Sequence, residues 1–76
     1  MIQEVLEAFP EHFEEILKSR DIKPTDFRLL SSGQIFTTQI YSWMSGSSYP
    51  SLKNLLLLSE ILNLSLEEIV GIAPTK

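Results

Sequence analysis

Between Gly33 and Ser51 the chain reads GQIFTTQIYSWMSGSSYPS, and this stretch restricts the fold more than any other. After a turn at Gly33, the run Thr37-Thr38-Gln39-Ile40-Tyr41-Ser42-Trp43-Met44 has its apolar residues at 40, 43 and 44, which is helical spacing. Gly46 follows where glycine commonly closes a helix in the left-handed conformation. Ile40, Trp43 and Met44 are predicted to face a core, while Thr37, Thr38, Tyr41, Ser42 and Ser45 line the opposite side as short hydrogen-bonding groups. The remainder of the chain has to supply that core.

Ile2, Val5, Leu6, Phe9, Phe13, Ile16 and Leu17 recur at steps of three and four, so the first twenty residues read as helix with one apolar stripe. Pro10 interrupts it, because proline has no N–H for the carbonyl of Leu6. Two helices, the first ending near Phe9 and the second opening at Pro10, are favoured over one kinked helix. Asp21-Ile22-Lys23-Pro24 is a connector, after which Pro24 opens a helix through about Ser31 with Phe27 and Leu30 inward. Gly46-Ser47-Ser48-Tyr49-Pro50 is a loop, and Ser51 is a good N-cap for a helix from Leu52 to about Leu62. The four leucines 55–58 point in four directions, so one of them is left over from the core. Asn63 ends that helix, and Ser65-Leu66-Glu67-Glu68 has capping-box spacing for a short fifth one with Ile69 and Val70 inside.

Seventy-six residues make one domain, which buries only ~60% of its unfolded surface, so a second copy would add stability. With no cysteine and a single histidine, neither disulfides nor a metal cluster is expected, and no cofactor is implied. The longest apolar run, 55–58, is far short of the ~20 residues that span a bilayer, and no signal-peptide pattern opens the chain; a cytoplasmic protein is expected. Glu11, Glu14 and Glu15 read as a solvent face and His12 has no evident catalytic partner, so no enzyme is expected. The net charge of −4 is unevenly spread. Residues 1–15 carry five glutamates and no Lys or Arg. Residues 16–59 carry Lys18, Arg20, Lys23, Arg28 and Lys53 against Asp21 and Asp26, whereas residues 60–76 are again acidic.

Gln39 through Gly46, then Pro50-Ser51-Leu52, the leucine run and Leu64-Ser65-Leu66-Glu67-Glu68-Ile69 together resemble the lambda-repressor/Cro-like (XRE-like) helix-turn-helix domains over roughly residues 12–70. The resemblance implies an all-α, compact five-helix domain over 10–71, with an extra N-terminal helical segment at 1–9 and a tail at 72–76. It further implies a small transcriptional regulator whose third helix enters the major groove of duplex DNA, acting as a homodimer. Thr37, Thr38, Gln39 and Ser42 are then the base-contacting residues, and Lys23, Tyr41, Ser47, Ser48, Ser51 and Lys53 the backbone-contacting ones. Thr37 is equally suited to be the N-cap of its helix. The family commonly pairs an arginine late in its first helix with a glutamate at the end of its third; the matching positions here are Leu17 and Met44, both apolar. Joint replacement of a buried pair by apolar groups is often neutral, so the two changes agree with each other. Leu57 falls where the family is exposed, which makes it, with Ile72 and the N-terminal segment, a candidate subunit contact. The alternative is a helix-turn-helix scaffold that binds protein through Ile2, Val5, Leu6, Leu57 or Ile72, with little or no DNA binding.

Overall fold

A computed structural model describes residues 2–73, and all regular structure among them is helical. The helices are α1 (Ile2–Ser19), α2 (Phe27–Leu30), α3 (Thr37–Ser45), α4 (Leu52–Leu62) and α5 (Leu66–Val70), with a 3-10 turn at Pro24–Asp26 leading into α2. Met1 and residues 74–76 of the expected tail lie outside the described residues.

α1 is one helix, with Pro10 inside it, and not the expected pair. Two observations account for this. The buried stripe Phe9, Phe13, Ile16 and Leu17 continues through the proline, and each such side chain stabilises by ~1.5–3 kcal/mol. The Leu6 carbonyl that Pro10 cannot serve accepts instead from the hydroxyl of Tyr49, 2.9 Å away in the α3–α4 loop. The rings of Phe9 and Phe13 stack at 5.5 Å, and Tyr49 tilts against Phe9 at 6.1 Å, so the loop is held to the helix by packing as well. The 1–9 extension is therefore continuous with the first core helix.

Phe13 sits at the centre of the core, with Phe27 at 6.4 Å and Trp43 edge-on at 6.1 Å. α1 packs against α3 and α5, and α5 packs against α4. Phe27 is fully buried as expected, but Leu30 is 49% exposed. The reason is that α2 lasts a single turn and Ser31, four residues after Phe27, takes the inward direction. The buried Ser31 hydroxyl donates to the Phe27 carbonyl at 2.6 Å and accepts from the Ile35 amide at 2.8 Å. It thereby holds a turn in which Ser32 and Gly33 have φ of 54° and 82°, and it delivers Ile35 into the core.

In α4, Ser51 caps the helix as expected, its hydroxyl accepting from the Asn54 amide at 3.3 Å, and Asn63 closes it in the left-handed region. The surplus leucine is Leu56, 52% exposed, and not Leu57, which packs partly against the core. Leu57 shares a depression with Leu30, Ser31 and Ile61 and so is sheltered by the α2 turn. The groove at Leu56 is lined by α4 alone. The far ends of the helices are tied together by side chains. Arg20 donates to the last carbonyl region of α4 at Leu62 (2.6 Å), Ser59 to the Leu64 carbonyl (2.6 Å), and His12 Nε2 to the Glu68 carbonyl in α5 (2.7 Å). The Ser65–Glu68 capping box forms, with bonds of 3.1 and 2.9 Å. None of the helices is long and apolar enough to cross a membrane among the described residues.

Candidate nucleic-acid interface

α3 divides its sides as its sequence predicts. Ile40 and Trp43 are buried and Met44 packs partly against the core. Thr38, Tyr41, Ser42 and Ser45 follow at i, i+3, i+4 and i+7 and form one outward line, with Thr38, Tyr41 and Ser45 exposed and Ser42 half-buried. The anchor beneath this row is the Trp43 ring against Phe13, which fixes α3 on α1.

The N-cap of α3 is Phe36, so Thr37 is the first helical residue and not the cap. The cap is completed by Gln39, whose side-chain oxygen accepts from the Phe36 amide at 2.9 Å. Gln39 therefore keeps only its amide NH2 for an outside partner, and the two-point contact with adenine requires it to leave the cap. Thr37 and Gln39 are half-buried on the two flanks of the outward row.

At the other end, Gly46 closes α3 with φ 82°, its amide donating to the Ser42 carbonyl. That same carbonyl accepts from the amides of Ser47 (3.0 Å) and Ser48 (3.4 Å) and from the Ser45 hydroxyl (3.1 Å). The Ser45 and Ser47 hydroxyls are 2.9 Å apart. The loop is thus folded back over the helix end, with the Ser47 hydroxyl held by that of Ser45 and both Ser47 and Ser48 exposed. Four-residue spacing from Gly46 to Pro50 leaves Ser51 as a cap, and the amides of Leu52 and Lys53 just behind it have no acceptor within α4.

The cations divide less favourably. Lys23 and Lys18 flank Met44 beside α3, where they share a cleft with Glu14, Asp21 and Leu17. Arg20 is committed to the Leu62 carbonyl. Lys53 lies in the groove of α4 with Leu52, Leu56, Leu57 and Glu60, a groove that includes no α3 residue, so it is not gathered with the threonines. A feature the sequence reading missed is the position of the α1 carboxylates. Glu7, Glu11, Glu14 and Glu15, with the single cation Lys18, line a broad depression together with Met44, Ser45 and Gly46, so a mainly acidic side of α1 borders the C-terminal end of α3. The i, i+3, i+7, i+10 and i+11 spacing from Glu4 through Glu15 was the available signal, once α1 is taken as a single helix.

Leu17 and Met44 line one cleft. No protein-family model matches this chain, and neither the curated proteins nor the solved structures contain a match to it.

Proposed function

We propose that the chain is a helix-turn-helix regulator that reads duplex DNA in the major groove with the exposed row of α3, acting as a two-fold dimer. The observation that carries this reading is the outward line of exposed Thr38, Tyr41 and Ser45 with half-buried Ser42 on a nine-residue helix whose opposite side is anchored by the buried Ile40 and Trp43. Thr38 and Ser42, with Thr37 and the amide NH2 of Gln39 beside them, address base edges. Hydroxyls can donate or accept, and the threonine methyls can pack on thymine methyls. Lys23, Tyr41, the side chains of Ser47 and Ser48, and the first amides of α4 behind Ser51 address phosphates. With few cations near α3 and carboxylates at its C-terminal end, one copy binds feebly; two copies on half-sites about one helical turn apart are the working unit.

The test is selection from random-sequence duplexes at low salt, followed by electrophoretic shift. An enriched two-fold sequence whose binding drops on Thr38→Ala or Ser42→Ala supports the reading. The absence of any enriched sequence at tens of micromolar protein, on the order of the weakest non-specific binding expected of such a domain, ends it. A second reading, a scaffold for protein contacts in which α3 meets no nucleic acid, is favoured by the carboxylates beside α3 and by the exposed Ile2, Leu6 and Ile72. A protein that selects no DNA yet captures a defined protein through those apolar residues would have that function.

A further inference from the structure

α4 carries a second organised surface, on the side of the helix that no other element covers. Leu52, Lys53, Leu56, Leu57 and Glu60 line one shallow groove, and Leu52 and Leu56 are both more than half exposed. Leu57 and Glu60 also line the adjoining depression with Leu30, Ser32, Gln34 and Ile61, so the surface becomes more polar toward α2. The side chains of Lys53 and Glu60 make no hydrogen bond or ion pair with any described residue. Their placement is regular: they stand two helical turns apart, at equal distances either side of the midpoint between Leu56 and Leu57.

That symmetry selects an occupant. We propose that the α4 groove is covered by α4 of a second copy of this chain, the two helices antiparallel about a two-fold axis that passes between Leu56 and Leu57. In that register each residue faces the one whose number completes the same sum. Leu56 then meets the outer edge of the half-buried Leu57 of the partner subunit, Leu52 reaches the half-buried Ile61 of the partner subunit at the end of the groove, and Lys53 meets Glu60 of the partner subunit. Every apolar side chain opposes an apolar one and each charge opposes its counter-charge, twice over by symmetry. A parallel pairing would set lysine against lysine and glutamate against glutamate, and a shift by one residue would put Lys53 opposite a serine or an apolar residue. The register is thus specified by repulsion as well as attraction. It also accounts for Lys53 lying away from α3, since here its charge belongs to the seam.

The seam supplies the dimer that the proposed function calls for, and in that respect rests on it, but its evidence lies wholly in α4. The experiment is the solution mass by sedimentation equilibrium, with helix content followed by circular dichroism so that unfolded variants are recognised. The wild type should sediment as a dimer in reversible equilibrium with monomer. Leu56→Lys, at an exposed position and with a good helix former, should leave the helix content intact and raise the dissociation constant by about 100-fold. Lys53→Glu or Glu60→Lys alone sets two like-charged pairs across the axis and should weaken the dimer about tenfold, whereas Lys53→Glu with Glu60→Lys restores both pairs with reversed polarity and should recover most of it. A folded monomer at every concentration, or a dimer indifferent to Leu56→Lys, overturns the seam. A double exchange no tighter than the single ones overturns the antiparallel register. No duplex is present in these measurements, so a failure of α3 to select DNA leaves the seam standing, and a folded monomer leaves the α3 row open to its own test.

Discussion

Ser31 is a small buried side chain whose hydroxyl bonds to two residues, Phe27 and Ile35. Its hydroxyl bridges the end of α2 to the amide of Ile35, and that bridge is what turns the chain from α2 toward α3. Ser31→Ala leaves the Ile35 amide buried and unpaired, and is expected to cost about 2–3 kcal/mol, read as a lower urea midpoint with unchanged slope. Tyr49 plays the complementary part at Pro10. Its hydroxyl is half out in solvent, so Tyr49→Phe should cost only about 0.5–1 kcal/mol. Pro10→Ala returns an N–H to the Leu6 carbonyl, and in that background Tyr49→Phe should cost distinctly less. A double-mutant cycle with no coupling would show that the hydroxyl does not stand in for the missing amide.

At the scale of elements, the helices and their caps were readable from local chemistry. The spacing around Ile40 and Trp43, Gly46 as a stop, Ser51 as a cap and the Ser65–Glu68 box all concern residues within one or two turns of each other. What was not readable depended on partners distant in sequence. The proline break was overridden by a tyrosine 43 residues away from the carbonyl it serves. Leu30 gave way to Ser31 because α2 lasts a single turn, and Leu57 to Leu56 because that turn shelters one edge of α4 and leaves the next open. The outward threonine and serine row followed from periodicity, but the carboxylates beside it did not, because their position depends on how α1 crosses α3. That crossing makes a prediction of its own. Leu17 is buried and Met44 lies in the same cleft, so Leu17→Arg alone strands a charge and should cost about 3–5 kcal/mol. Leu17→Arg with Met44→Glu should recover part of the loss in thermal or urea unfolding. A double variant no more stable than the worse single one would mean that the two helices do not meet there.

For the whole molecule the sign of the charge matters more than its size. The net −4 is concentrated on the first fifteen residues, and α1 brings those carboxylates up to the C-terminal end of α3. Glu14→Gln with Glu15→Gln should therefore tighten duplex binding several-fold at low salt, and the advantage should fade as salt screens it over a Debye length of about 8–10 Å. Affinity unchanged by the two substitutions, measured across a salt series, would place the duplex away from α1. The bond from Tyr49 to Leu6 has one more consequence. The ring that completes α1 belongs to the same short loop as Ser47 and Ser48, so a grip on those serines is felt at a carbonyl in the second turn of the first helix. Hydrogen exchange across residues 2–9 should slow when the loop is engaged, which turns the first turns of α1 into a gauge of occupancy at the α3–α4 loop.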